Sequence, residues 1–104
     1  MKIKEVTRGA KFLDEVIPGW YLKIDLGTLN LALGSQCVLG QLCPRELLDQ
    51  TSPYDALRTK LNLSHQDTVN LGFNIGSAIG LPESHSFYQL MEAWTEEVKD
   101  RCSR

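Results

Sequence analysis

Residues 20–42 read WYLKIDLGTLNLALGSQCVLGQL, and how this stretch folds decides the architecture. Leucines, Ile24, Val38 and Trp20 make it the densest apolar run of the chain, with charge only at Lys23 and Asp25. Taking such a run out of water is the largest favourable term available, about 25 cal/mol per Å² of apolar surface. Segments on either side carry one apolar face each, so 20–42 is expected to be the dry interior over which several helices close. The local pattern is mixed. Ile24/Leu26 and Leu29/Leu31/Leu33 alternate as in strands, with Gly27-Thr28 between them, whereas Trp20/Ile24 and Leu22/Leu26 are spaced for a helix. One helical turn followed by an extended piece reconciles the two periods. Gly34-Ser35 reads as a turn, and 37–42 as a short buried helical turn stopped by Pro44.

Working towards the N-terminus, Phe12, Leu13, Val16 and Ile17 place an apolar stripe on a helix over about 8–17, with Thr7 as its cap. Pro18 ends it, because a residue before proline is pushed out of the α region. Residues 1–6 read as a loose arm. In the other direction, 45–50 is a short helix, and Ser52-Pro53 opens another that runs to Leu61 and buries Tyr54, Leu57 and Leu61. Ser64 with Asp67 three residues on is a partial capping box for a helix ending near Leu71, with Gly72 as its stop. Residues 73–81 (FNIGSAIGL) read as a packed glycine-rich loop. The last helix, capped by Ser84 or Ser86, has Phe87, Leu90, Met91, Trp94 and Val98 at helical spacing. Its outer face is assigned Glu92, Glu96, Glu97, Lys99 and Asp100, with Glu97–Arg101 as an i, i+4 pair. Residues 102–104 are expected to be loose.

The fold expected is therefore mainly α: a compact single-domain helical bundle over 1–104, with at most a minimal two-stranded β pairing from 24–33. A chain of 104 residues fits one domain and buries roughly 60–65% of its unfolded surface. Apolar content of 42% against 23% charged is the balance of a globule rather than a disordered chain. With 11 basic and 13 acidic side chains the net charge is −2, which supplies no positive field for a phosphate backbone. No apolar run reaches the ~18 residues of a membrane span, and MKIKEVTRGAKF lacks the apolar centre of a signal peptide. The expected compartment is the cytoplasm, where Cys37, Cys43 and Cys102 stay reduced.

Chemistry-bearing motifs are sparse. Cys37 and Cys43 have five residues between them, wider than paired zinc ligands, and lie among leucines, where a free cysteine behaves as a small hydrophobe. A nucleophile needs a base and an orienting group, and no local signature links Cys37 to His65, His85 or Asp67. No GxSxG, HExxH or phosphate-cradling loop occurs. No catalytic residue, cofactor or metal is expected, and the chain reads as a non-enzyme. The stretch ALRTKLNLSHQDTV (56–69) has helix-turn-helix spacing, and His65, Gln66 and Asn70 are types that read bases. Only Arg58 and Lys60 lie near, and Asp67 opposes phosphate, so an antiparallel helix pair outweighs DNA binding. Trp94 belongs to the core stripe. Trp20 after Pro-Gly is weighed as core ahead of partner anchor. Trp20, Tyr21, Phe73 and Gly76 are the candidate contacts for a partner or ligand, the last two because of the glycine-rich loop.

Phe12-Leu13-Asp14-Glu15, Pro18-Gly19-Trp20, Ile24-Asp25-Leu26, Thr28-Leu29, the run 37–42 (CVLGQL), Gly72-Phe73 and Ala93-Trp94 together form a recognisable pattern. In these positions the chain resembles a family of small proteins of actinobacterial phages and related bacterial genomes; residues 43–70 do not match it. The resemblance carries no functional residues over to this chain. It implies a phage or prophage accessory protein in a bacterial cytoplasm, acting by binding a host or viral protein. A binder that sequesters a nucleotide-like signal is the alternative, a helix-turn-helix DNA-binding protein the second alternative, and a homo-oligomer is compatible with either binder.

Overall fold

The apolar stripe of the N-terminal segment decides where the first helix begins. The structure is a computed structural model and describes residues 3–31, 33, 36–44, 53–73 and 87–103. Helix α1 spans Lys4–Val16 and buries Val6, Gly9, Ala10 and Leu13. This corrects the expected loose arm and the Thr7 cap. Ile3 is only 4% exposed and itself occupies the N-cap, with no side-chain cap. The buried stripe starts at Ile3 and Val6 and continues through Ala10 and Leu13, leaving Val16 exposed. The helix stops where expected, with Ile17 as the C-cap ahead of Pro18.

Gly19, at φ 79°, turns the chain into a short 3₁₀ turn, Trp20–Lys23, and Ile24 then continues in extended geometry. The helical turn is thus borne out, whereas the extended piece is limited to Ile24 and its immediate neighbour. The β pairing is not borne out: the described residues contain no strand, and 24–31 proceeds through turns. Its polar backbone is satisfied locally instead. The Gln41 amide accepts from Asp25 N at 2.6 Å and donates to the carbonyls of Asp25 and Gln36, each at 3.2 Å. One side chain so ties the 24–28 turn to α2 (Val38–Leu42), which the Cys37 thiol caps by accepting from Gly40 N at 3.3 Å.

Helix α3 spans Pro53–Lys60 and α4 spans His65–Asn70. Leu57 is buried, whereas Tyr54 and Leu61 are only partly so. Ser64 and Asp67 form a complete capping box: Ser64 Oγ accepts from Asp67 N at 3.0 Å and Asp67 Oδ2 accepts from Ser64 N at 2.9 Å. Gly72, at φ 75°, closes the C-terminal end as expected. Helix α5 spans Phe87–Cys102, so Cys102 belongs to it, and Ser103 still donates its N–H to Lys99 O at 3.1 Å. The expected helix over 45–50, the Gly34-Ser35 turn, the caps at Ser52, Ser84 and Ser86, and the 74–81 loop lie outside the described residues.

Helix α1 packs on α4 and α5, α2 on α3, and the 3₁₀ turn on α5 and α2. One buried cluster runs through all of them but α4, from Ile3 and Leu13 through Trp20, Val38 and Leu39 to Leu57, Phe73 and Trp94. The radius of gyration, 12.5 Å, matches the ~13 Å expected of a single unit of this length. No helix among the described residues is long and apolar enough to cross a membrane.

Candidate functional site

The aromatic residues singled out by sequence are mostly structural. Trp20 is fully buried and sits edge-on to Trp94, ring centroids 5.8 Å apart. Phe73 is buried on the other side of Trp94, stacked at 5.5 Å. Trp94 donates its indole N–H to Gly72 O at 2.7 Å, which fixes the turn after α4 against α5. Tyr21 is half-buried, edge-on to Trp20 at 5.9 Å. Gly76 lies outside the described residues. Trp20 and Phe73 are therefore brought together by one core indole, and neither offers a face to a ligand.

A polar cluster escaped the sequence reading. Trp20 Nε1–H donates to Asp14 Oδ1 at 2.9 Å, and Arg101 grips the same carboxylate through Nε at 3.1 Å and Nη2 at 2.9 Å. Arg101 Nη1 also pairs with Glu97, and its guanidinium lies 5.5 Å from the Trp20 ring centroid. The expected Glu97–Arg101 pair is present, but Glu97 is 6% exposed and not on the outer face. The helical period gives the signal: Glu97 follows Trp94 by three and Ala93 by four, so it shares their buried face. The hydrogen bond to Asp14, opposed by burial, keeps the guanidinium protonated beyond the ordinary arginine range. All three guanidinium nitrogens are engaged here, so the cluster fastens α5 to α1 rather than presenting a reactive group.

The cysteines follow the same logic. Cys37 is buried, and burial pushes its thiol above the ordinary range, against weaker backbone hydrogen bonds that lower it. A nucleophile needs the opposite shift. Cys43 is half-buried and Cys102 exposed. No metal-competent group of His, Cys, Asp and Glu occurs among the described residues.

Helices α3 and α4 form a hairpin whose turn places Asn62 at φ 59°, the left-handed region. Tyr54 OH contacts buried Thr68 Oγ1 at 2.9 Å, and Thr68 in turn donates to His65 O at 2.6 Å. His65, Gln66 and Asn70 are exposed, but Gln66 Nε2 already donates to Asn70 Oδ1 at 3.2 Å. Arg58 is likewise engaged, donating to Leu63 O at 2.9 Å and pairing with Asp55 at 3.4 Å.

Where α1 crosses α4 a shallow, open cleft of about 580 Å³ is lined by Arg8, Leu63, Asp67, Asn70 and Leu71. Its shape follows from two glycines. Gly9 lets α1 approach so closely that a Cβ there would stand 1.9 Å from Leu71 O, and a Cβ on Gly72 would stand 2.9 Å from Val6 N. Arg8 anchors its Nε to Asn70 O at 3.3 Å. Leu63 and Leu71 supply apolar lining, and Arg8 from α1 and Asp67 from α4 supply opposite charges. Of these residues the sequence singled out only Asn70, as a base reader, and Asp67, as an acid opposing phosphate; that they join Arg8 is not legible locally, since the segments are about sixty residues apart. Comparison with protein-family models, curated proteins and solved structures finds no match to this chain.

Proposed function

We propose that the chain is a non-enzymatic, phage-type accessory protein of the bacterial cytoplasm that acts by binding a host or viral protein. The observation that carries this reading is the α1–α4 cleft: open, shallow and mixed in polarity, the kind of surface that side chains of another polypeptide fill. A small-molecule site would instead enclose most of its ligand behind convergent polar groups. The aromatic residues that motivated a nucleotide-like ligand, Trp20 and Phe73, are closed into the core. DNA reading by α4 has little support either, with six residues, Asp67 on its exposed side and its amides bonded to each other.

Capture of interacting proteins from bacterial host lysate on the immobilised chain, followed by mass spectrometry and titration of the purified candidate, tests the reading. One protein bound saturably is expected. Repeated recovery of none overturns it.

A further inference from the structure

The polarity of the α1–α4 cleft specifies the chemistry of what it holds. Arg8 is exposed and donates through Nε to Asn70 O, which fixes the guanidinium at its inner edge. Among the described residues its two terminal amino groups form no hydrogen bond or ion pair. A guanidinium held this way offers a planar fork that matches a carboxylate bidentately. Lys4 and Lys11, four residues before and three after, lie on the same exposed face of α1 and form no ion pair among the described residues. They extend the positive field along the helix, with Glu15 at its far end. Across the cleft, Asp67 uses one carboxylate oxygen for Ser64 N and has acceptor capacity left.

We infer that the α1–α4 cleft docks an acidic, leucine-bearing peptide segment of a partner protein: a carboxylate on Arg8, an apolar side chain over Leu63 and Leu71, and further acids along Lys4 and Lys11. A polypeptide supplies both kinds of group the cleft asks for, carboxylates for Arg8 and N–H donors for Asp67. A nucleic-acid backbone supplies only anions, which Asp67 and the net charge of −2 repel. The inference rests on the protein-binding reading and names the partner's chemistry.

The test titrates a synthetic peptide of alternating glutamate and leucine pairs into the ¹⁵N-labelled chain, beside the same peptide with lysine for glutamate and a short DNA duplex. Saturable amide shifts are expected on α1 from Lys4 to Lys11 and on 63–72, with the acidic peptide alone. Arg8→Gln, at an exposed position, is expected to weaken binding about tenfold while its unbound amide spectrum stays that of the folded chain, and added salt to weaken binding further. Shifts elsewhere, no shifts, unchanged affinity in Arg8→Gln, or stronger binding of the lysine peptide or DNA overturn the assignment. The two readings fail separately: a lysate partner held equally by wild type and Arg8→Gln leaves protein binding standing and removes this cleft from it.

Discussion

At the residue scale the fold turns on glycines that are not interchangeable. Gly9 sits inside α1, where alanine would gain about 1 kcal/mol of helix propensity. A Cβ there meets Leu71 O at 1.9 Å, and because that atom is backbone, α1 and α4 would have to separate. Gly9→Ala is expected to destabilise by about 2–4 kcal/mol despite the better propensity, read as a lower urea midpoint. Gly19→Ala is the control. Nothing lies within 4 Å of its Cβ, and only the positive φ of 79° opposes the substitution, at a cost of about 1–2 kcal/mol. If both substitutions cost the same, the close approach of α1 to α4 is wrong. Cys37 gives a chemical readout. In the native protein iodoacetamide should alkylate exposed Cys102 first and Cys37 only as the chain unfolds. Because folding raises the Cys37 thiol pKa, its contribution to stability is complete below the unfolded value of about 8.5. Above that the unfolded chain ionises first and stability is lost. Cys37→Ala should flatten this part of the alkaline decline.

At the element scale, α5 shows both what periodicity reveals and where it stops. Its apolar spacing is regular enough that Leu90, Trp94 and Val98 are found buried as expected. The capping box of α4 and the Pro18 stop of α1 were legible for the same reason, since each depends on neighbours within one turn. Glu97 was misplaced because charge was read ahead of phase. Asp14 and Arg101, 87 positions apart, could not be paired by any local rule. Their joint is the main polar fastening between α1 and α5. Arg101→Met removes the cation that Glu97 pairs with while Glu97 stays buried, and should cost about 3 kcal/mol; adding Glu97→Leu should restore most of it. Asp14→Ala, with its carboxylate partly in water, is expected to cost less, about 1–2 kcal/mol. Arg101 itself is a cation whose pKa folding raises, so its contribution is full below the ordinary arginine value and fades only above it. Urea midpoints of wild type and Arg101→Met should therefore differ by a constant amount between neutral pH and about pH 10.

Across the whole molecule, residues 20–42 do form much of the interior, as Trp20, Ile24, Leu29, Leu31 and 37–40 are buried. The run is not uniformly dry, however. Leu22 is 73% exposed and Leu33 46%, because a chain that turns repeatedly cannot face inward at every leucine. The candidate cleft was not legible at all, being created by the crossing of two helices rather than by any motif. What unifies the fold is the aromatic line through Trp94, with Trp20 from the first half of the chain on one edge and Phe73 from the second half on its face. Each indole N–H has a fixed acceptor, Asp14 for Trp20 and Gly72 for Trp94, so neither ring can leave without breaking a hydrogen bond and opening the centre. Both tryptophans should therefore emit as buried indoles, resist acrylamide quenching, and become exposed together in the transition that removes the helical circular dichroism. Trp20→Phe and Trp94→Phe should each report the same midpoint by fluorescence and by circular dichroism within one variant, while losing about 2–4 kcal/mol of stability relative to wild type. Two separated transitions would mean that the halves of the chain close over different cores, and that Trp94 does not join them.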